Sequence, residues 1–209
     1  GLVLPYECRN GGCGVCVCTV LQGRIDHGAY QPAVLNAAMR ARGKALTCCA
    51  TALEDVAIEL DVQSLEAGVA KPVLSLDAKV ASMNLLSDDV MQVLLNLPAG
   101  ERLDFIAGQY LNIVLEDGQR RAFSFASPPH RGTPIELHIK LVPDGQFTPR
   151  VFKSMKVGDT LRIEGPFGRF NLSESDKPII LIATAVGFAP VKSILEDAFH
   201  RGIKRPMQL

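Results

Sequence analysis

The chain has 209 residues, 47% of them hydrophobic, which is enough for one large domain or two smaller domains with real cores. Its 22 basic residues balance 22 acidic residues, so it lacks the basic excess that is typical of nucleic-acid-binding proteins. The longest apolar stretch, residues 179–191, is broken by Thr184, Gly187 and Pro190 and is too short to span a bilayer. We therefore expect neither a nucleic-acid partner nor a membrane partner.

All six cysteines lie within the first 49 residues. A secreted domain held by disulfides would spread them along the chain, so the clustering indicates a metal or cluster site in a reducing compartment. With no signal-peptide pattern, we expect a cytoplasmic protein. The chain begins at Gly1 and stops at Leu209, just after a strand–turn–helix pattern, and we expect it to be a longer protein cut at both ends.

The first segment, residues 1–62, contains the cysteines and ends in the alternating run 56–60, which predicts a half-buried strand. Residues 63–72 mix small and polar side chains before a closing proline and are predicted to form a linker.

The next segment, residues 73–175, alternates short apolar runs with turn signals, a spacing typical of a β-barrel or sandwich. The predicted strands include residues 91–97, 110–115, 135–141 and 160–163.

The last segment, residues 176–209, has a different character. Residues 179–183 are predicted to form a buried strand, and Pro190 suits the first turn of a following helix. One face of that helix would carry Val191, Ile194, Leu195 and Ala198. A strand, a tight turn and a helix predict the opening of an α/β nucleotide-binding unit.

Residues 8–16 read CRNGGCGVC, so Cys8, Cys13 and Cys16 are separated by four and then two residues. This spacing, with a distant fourth cysteine, is that of a plant-type 2Fe–2S site. The glycines permit a tight curl and let peptide N–H groups approach the sulfurs. Zinc is the alternative, since the CxxC pair alone would suit it, but zinc sites usually add a second spaced pair or histidines.

The fourth thiolate is expected from residues 46–50, which read LTCCA. In an extended segment neighbouring side chains point to opposite faces, so only one of Cys48 and Cys49 would ligate easily. Cys18 is predicted to be a small buried hydrophobe.

Residues 121–124 read RAFS and combine an arginine, an aromatic ring and a hydroxyl. Such a set could serve a phosphorylated aromatic cofactor, because a guanidinium pairs well with phosphate. From these four residues alone, an ordinary strand with an exposed arginine and a core phenylalanine would be the favoured interpretation.

Residues 2–60, and the string LPYECRNGGCG at 4–14 above all, resemble the ferredoxin domain of the iron–sulfur flavoprotein reductases, in the ferredoxin–NAD(P)H reductase superfamily. These include the reductase components of ring-hydroxylating and multicomponent oxygenases and CDP-6-deoxy-glucoseen reductase. The later segments that are similar to family motifs, in family order, are residues 107–110, 121–124, 135–140, 145–148, 156–159 and 165–168.

The resemblance implies that Cys48, in a string similar to the family's Leu-Ala-Cys-Gln-Ala, completes a 2Fe–2S ligand set. That set would be Cys8, Cys13, Cys16 and Cys48.

For the flavin, the resemblance implies that Arg121 meets the pyrophosphate and Phe123 packs beside the isoalloxazine. Ser124 would sit near the reactive N5 atom, which is the catalytic position. Further candidate flavin-binding residues on the matching segments are His138, Lys140, Gly145, Phe147 and Thr148. The place of His138 inside an alternating strand favours a structural role for that side chain.

For the nicotinamide, the family's Ala-Gly-Gly-Thr-Gly-Ile-Ala-Pro string corresponds to ATAVGFAP at residues 183–190. Gly187 and Pro190 match. Thr184 could supply a displaced hydroxyl, whereas Val186 cannot replace the family's threonine. We take Thr184, Gly187 and Pro190 as the candidate nicotinamide-binding residues.

The expected fold is therefore a multidomain α+β protein. Its parts are a β-grasp ferredoxin domain over 1–62, a linker, an antiparallel β-barrel flavin domain over 73–175, and the start of an NAD(P)-binding lobe over 176–209. The resemblance implies an oxidoreductase that passes electrons from NAD(P)H through FAD to the cluster and on to an oxygenase or dehydratase component. The alternative is an iron–sulfur and flavin carrier with no NAD(P)H activity of its own.

Overall fold

The computed structural model describes residues 2–9, 11–60, 66–67 and 73–209. The backbone divides into two compact units, Gly1–Pro72 and Val73–Leu209. Most of the linker predicted for residues 63–72 lies outside the described residues, and its residues 66–67 form a short strand.

The first unit contains short strands and one short helix. Its elements are β1 (Leu2–Val3), β2 (Val17–Gln22), β3 (Ile25–Asp26), α1 (Ala37–Ala41), β4 (Lys44–Leu46), β5 (Thr51–Ala52), β6 (Ala57–Glu59) and β7 (Glu66–Ala67). The strand β2 lies between β4 and β6 in an antiparallel sheet, while β3 pairs with β5 and β1 pairs with β7.

The core of this unit is small and lies beneath the cysteine loop. Cys16, Leu35 and Leu46 are almost fully buried and contact one another. Asn36 caps the start of the helix α1, and its side-chain oxygen accepts a hydrogen bond from Met39 N at 3.0 Å. The strand predicted for residues 56–60 is confirmed as β6.

The second unit is built on a six-stranded antiparallel sheet. Its elements are β8 (Leu74–Ser87), β9 (Val90–Asn96), β10 (Tyr110–Val114), β11 (Arg120–Ser124), β12 (Ile135–Lys140), α2 (Thr148–Lys153) and β13 (Thr160–Phe167). The strand order is β11-β10-β13-β8-β9-β12, so β11 and β12 are the two edges. The four strands predicted in this segment are all present.

The two edge strands of the sheet approach each other just beyond the end of β11. Phe125 forms an isolated antiparallel bridge with Leu137, and Ala126 N donates to Glu136 O at 2.8 Å. The buried apolar side chains of the strands pack against one another in a single core, because alternate residues of a strand point to the same side. The largest fully buried residues are Phe125, Leu95, Leu111, Ile113, Ile135, Leu137, Ile139 and Ile163.

The chain continues into a small strand–helix–strand arrangement. It consists of β14 (Ile179–Ile180), a 3-10 turn at Ala185–Gly187, α3 (Phe188–His200) and β15 (Met207–Gln208), with β15 parallel to β14. The predicted helix is confirmed, and Val191, Ile194 and Ala198 are buried on its inner face.

The buried strand predicted for residues 179–183 is wrong. The strand is limited to Ile179–Ile180, with one further bond from Leu181 N to Gln208 O at 2.8 Å, and the side chains of Ile180 and Ile182 are 74% and 86% exposed. The physical reason is that the two-residue strand β15 is its only partner among the described residues, so the outer face of this segment is uncovered.

No helix within the described ranges has both the length and the apolar character needed to cross a membrane.

Candidate cluster and flavin sites

The cysteine loop lies between Cys8 and the start of β2, and a backbone N–H group of this loop faces one of its cysteine sulfurs. Gly12 N donates to Cys8 Sγ at 3.3 Å, the kind of N–H···S bond that tunes a cluster. Thr47 N donates to Cys16 O at 3.0 Å, which ties the turn carrying the fourth thiol to the loop carrying the other three.

The four predicted ligand thiols lie in two pairs. Cys13 interacts directly with Cys8, and Cys16 Sγ lies 3.2 Å from Cys48 Sγ. Within the described residues, no three His, Cys, Asp or Glu side chains surround a single ion position. Two pairs of thiols instead match a cluster of two irons held by four cysteines, since each iron needs two protein sulfurs. The donor set therefore fits a 2Fe–2S group.

Burial governs the protonation of these thiols. It raises the pKa of Cys16 to about 11, although a hydrogen bond from the Cys48 backbone opposes this shift, and it also raises the pKa values of Cys13 and Cys48. Without metal these thiols carry their protons at neutral pH, so iron binding has to displace them.

Gly11 occupies a position that no other residue could fill. Its φ is +70°, and an added Cβ would lie 2.7 Å from Tyr30 Cα and 3.0 Å from Cys49 Sγ. A side chain here would meet both the left-handed backbone penalty and a direct clash.

The turn that carries Cys48 and Cys49 differs from the expectation. Cys49 N and Ala50 N both donate to Leu46 O, at 3.0 and 2.9 Å, so the segment is a turn and not extended. Consequently the two sulfurs lie on the same side, 3.4 Å apart. The argument that only one of them can face the loop is therefore wrong. Cys18 is buried, as predicted.

Some of the predicted flavin residues come together in the second unit, where the strand β11 contacts the loop at residues 145–148. The Arg121 guanidinium donates from Nη2 to Gln119 Oε1 at 2.7 Å and to Gln146 Oε1 at 3.2 Å. The second bond joins the RAFS strand to the loop at residues 145–148, although its two partners lie 25 positions apart in the sequence.

Phe123 and Phe147 lie side by side between these segments, with ring centroids 5.7 Å apart. The Thr148 hydroxyl accepts from Val142 N at 2.9 Å and donates to Val142 O at 3.1 Å, while Gly145 N donates to the same oxygen at 2.9 Å. These bonds close the loop tightly before α2. Gly145 and Thr148 thus shape the loop, and Phe147 anchors it in the core.

Ser124 lies half-buried at the end of β11, opposite Tyr110 in the antiparallel register. The next residue, Phe125, stacks on Phe105 with ring centroids 3.9 Å apart, and this contact holds the strand end in place. A cation, an aromatic ring and a hydroxyl on one strand fit a phosphorylated aromatic cofactor.

His138 belongs to a buried polar cluster centred on Glu136. Glu136 Oε1 lies 2.9 Å from His138 Nε2 and accepts from Gln92 Nε2 at 2.8 Å, while Oε2 accepts from Lys192 Nζ at 2.9 Å. Lys140, the last residue of β12, instead forms an exposed ion pair with Asp89 at 3.3 Å.

These partners set the charge of Glu136. The hydrogen bond to His138, followed by those to Gln92 and Lys192, lowers the pKa of Glu136 from 4.5 to about 2, against the opposing effect of burial. The carboxylate is therefore ionised throughout the neutral range, although only 5% of the residue is exposed.

The predicted nicotinamide residues lie at the turn before α3. Thr184 is extended and exposed, Gly187 has helical backbone angles, and Pro190 is in the first turn of the helix. Ala185, where the family has a glycine, has a φ of +47°. The turn therefore keeps a left-handed residue although the glycine has been replaced.

The helix α3 is bonded directly to the chain that follows the flavin strand. Lys192 Nζ donates to Ala126 O at 3.0 Å, and Ser193 Oγ donates to Ser127 O at 2.8 Å. The predicted nicotinamide turn and the predicted flavin strand therefore belong to one bonded region.

Sequence reasoning missed Glu136, Lys192 and Gln146. Glu136 carried a signal, since it is a carboxylate two residues from His138 on one face of a strand. Lys192 and Gln146 carried none, because their partners are far away in the sequence.

Two domain families match the chain. Residues 1–53 match the 2Fe-2S iron-sulfur cluster binding domain, and residues 77–172 match the oxidoreductase FAD-binding domain. Together the two matches cover well over half of the chain.

Several curated proteins are similar over the whole chain. Reductase component 2 of terephthalate 1,2-dioxygenase from a Comamonas species is 40% identical over 211 residues, covering 100% of this chain and 61% of that protein. The CDP-6-deoxy-L-threo-D-glycero-4-hexulose-3-dehydrase reductase of Yersinia pestis is 32% identical over 206 residues, with 99% and 61% covered. The chain thus spans about three-fifths of the length of these relatives.

Among solved structures, the Amycolatopsis cytochrome P450 reductase GcoB is similar, with a TM-score of 0.86 and 35% identity, over 99% of this chain and 63% of that one. The ferredoxin reductase in carbazole 1,9a-dioxygenase follows with a TM-score of 0.78 and 29% identity, over 99% and 62%.

The fold and the two matches define a protein that combines a 2Fe-2S iron-sulfur cluster binding domain with an oxidoreductase FAD-binding domain. More narrowly, the chain belongs to the iron–sulfur flavoprotein reductases of the ferredoxin–NAD(P)H reductase superfamily.

Proposed function

We propose that this protein is an NAD(P)H-dependent reductase whose electrons pass through FAD to a 2Fe–2S cluster and on to a separate oxidoreductase. The observation that carries the proposal is the Arg121–Gln146 bond, which joins the predicted flavin strand to the loop at residues 145–148, where further flavin-binding residues are predicted. The paired thiols of the first unit supply the one-electron outlet that such a chain of carriers needs.

In this proposal four cysteines hold the cluster, namely Cys8, Cys13, Cys16 and Cys48. Bound FAD would supply the conversion between two-electron and one-electron transfer. Arg121 would neutralise its pyrophosphate, Phe123 would pack beside its ring system, and Ser124 would donate a hydrogen bond near N5. His138, Lys140, Gly145, Phe147 and Thr148 would complete the flavin-binding segments.

The nicotinamide would approach the turn before α3. An added Cβ on Gly187 would meet no atom of the described chain within 4 Å, and the residue has helical angles that alanine adopts freely. The backbone conformation therefore does not require a glycine there. A close approach of the dinucleotide to the backbone would require a glycine at this position. Thr184 and Pro190 would shape the same turn.

The proposed architecture is a β-grasp ferredoxin domain, a closed flavin barrel and the first part of an NAD(P)-binding lobe. The bridge between Phe125 and Leu137 supports the barrel, and the parallel pairing of β14 with β15 supports the lobe. Six free thiols suit a reducing cytoplasm.

The proposed electron acceptor is an oxygenase or dehydratase component. This rests on the relatives, which are named as reductase components or reductases of a terephthalate dioxygenase, a hexulose dehydrase and a phenol monooxygenase.

A carrier without NAD(P)H activity is the second candidate. It is favoured by one observation, the replacement of two family glycines and a threonine by Thr184, Ala185 and Val186 in the nicotinamide turn.

Anaerobic titration of the flavin- and cluster-loaded protein with NADH and NADPH separates the two candidates. We expect one of the nucleotides to bleach the flavin absorbance and then to produce the electron paramagnetic resonance signal of a reduced cluster. Gly187→Ala should retain its flavin and cluster but bleach at least about tenfold more slowly, because its methyl group occupies the approach to the turn. Protein that dithionite bleaches but neither nucleotide bleaches would be a carrier.

A further inference from the structure

We propose that Cys49 is a second iron-binding thiol at the corner of the cluster site assigned to Cys48, and that it can replace Cys48 as the fourth ligand. The inference rests on the proposed function only in requiring that the wild-type chain hold the cluster. The family string that residues 46–50 resemble, Leu-Ala-Cys-Gln-Ala, has a glutamine at the position of Cys49.

The first observation is the turn at residues 46–50. Because Cys49 N and Ala50 N bond to the same carbonyl, Leu46 O, the chain reverses and both cysteine side chains emerge on one side. Cys49 Sγ lies 3.4 Å from Cys48 Sγ, and Cys48 Sγ lies 3.2 Å from Cys16 Sγ. Rotating a cysteine about its Cα–Cβ bond moves its sulfur by about 3 Å, so a rotamer change spans this separation.

The second observation is the direction in which Cys49 points. Its sulfur lies against the backbone of Gly11, inside the cysteine loop, where an added Cβ would be 3.0 Å away. The Cys49 carbonyl oxygen packs against Gly28, whose Cβ would collide with it, so the backbone of this residue is held in place. The thiol is also near enough to Cys8 and Cys16 to interact electrostatically with both.

The chemistry of the exchange is simple. Both candidate ligands are thiolates, and iron–sulfur clusters select soft thiolate ligands over oxygen ligands. When Cys48 is removed, the Cys49 thiol loses its proton to solvent and its sulfur forms the bond to iron. No electron is transferred, and no other reactant is needed.

The test compares Cys48→Ala, Cys49→Ala and the double variant, with Cys13→Ala as the matched ligand deletion that has no neighbouring spare thiol. The measurements are iron and acid-labile sulfide per chain, and the electron paramagnetic resonance spectrum of the dithionite-reduced protein. Flavin content reports whether each variant has folded in its second unit.

We expect Cys48→Ala to keep about half or more of the wild-type iron, with shifted g-values, because the replacement ligand lies at a different angle. The double variant and Cys13→Ala should keep about a tenth or less. Cys49→Ala should keep its iron and its spectrum unchanged. If the Cys48→Ala variant holds as little iron per chain as the double variant, the proposal is overturned.

A second pair of variants tests the same exchange in case alanine at position 48 prevents the turn from folding. Serine preserves the shape of cysteine, so Cys48→Ser is compared with Cys48→Ser/Cys49→Ala. Higher iron content and a thiolate-type spectrum in the first of these support the exchange, whereas equal content and equal spectra contradict it. A wild-type chain that holds no cluster would instead contradict the proposed function itself.

Discussion

At the scale of single residues, Ala185 shows how a substituted motif can keep its backbone. Its φ of +47° lies in the left-handed region, which glycine adopts freely and alanine adopts at a cost of about 1–2 kcal/mol. Gly187 N donates to Thr184 O at 2.9 Å across this residue, so the turn is held although the side chain disfavours it.

We therefore expect Ala185→Gly to stabilise the second unit by about 0.5–1 kcal/mol, after subtracting the greater freedom of glycine in the unfolded chain. Urea unfolding of this unit measures the change. Gly118→Ala is the reciprocal control, because Gly118 has a φ of +80° and open surroundings within the described chain, and it should lose a similar amount. Loss of stability in both variants would contradict this account of the turn.

At the scale of elements, Glu136 links three of them. Its carboxylate on β12 binds Gln92 of β9 and Lys192 of α3, and Lys192 also reaches Glu196 one turn along the helix at 3.1 Å. Because these side chains around Glu136 are largely buried, removing Lys192 would leave the negative charge of the Glu136 carboxylate without compensation. The bonds of Glu136, together with the bond from Ser193 Oγ to Ser127 O, hold α3 beside the predicted flavin strand.

The lowered pKa of Glu136 predicts a stability that depends on acid pH. Since its pKa falls from 4.5 to about 2 on folding, the contribution is fully present above pH 4.5 and is lost as the pH falls toward 2. A shift of this size corresponds to about 3 kcal/mol. Chemical unfolding of wild type and Glu136→Gln at pH values between 6 and about 2.5 measures it, and the stability gap between them should narrow with acid.

Asp89→Asn is the control for this prediction. Asp89 forms an exposed ion pair with Lys140, so its loss should change stability very little at any pH. A gap between wild type and Glu136→Gln that stays constant with pH would show that the carboxylate contributes through packing and not through its charge.

At the scale of the whole molecule, the two units have very different cores. The first unit packs Cys16, Leu35 and Leu46 beneath the cysteine loop, whereas the core of the second unit extends through its sheet and α2 and uses only residues of that unit. A small domain with few buried residues commonly needs a metal to supply folding free energy.

We therefore expect removal of the iron by a chelator to lower the unfolding temperature of the first unit by about 10 °C or more. The transition of the second unit should stay in place. Calorimetry measures both transitions, with flavin fluorescence assigning the second one. Cys13→Ala, treated identically, should resemble the chelated protein from the start, and an unchanged first transition after complete iron loss would refute a structural role for the cluster.

Much of this protein could be predicted from its sequence, because the relevant signals are local. The spacing of Cys8, Cys13 and Cys16 follows from the covalent chain. The strands of the second unit follow from apolar alternation and turn residues, and α3 follows from helical periodicity after Pro190. Such patterns act over a few residues and do not depend on the rest of the fold.

Only the tertiary structure decided the features that depend on distant partners. The turn at residues 46–50, which the bond from Thr47 N to Cys16 O ties to the cysteine loop, places the sulfurs of Cys48 and Cys49 on one side, where the sequence suggested opposite faces. The Arg121–Gln146 bond and the meeting of Lys192 with Glu136 join segments that no short pattern connects. Packing among residues that are remote in the sequence sets where the chain lies against itself. For this reason the spacing of Cys8, Cys13 and Cys16 could be read from the sequence, whereas the side on which Cys49 lies could not.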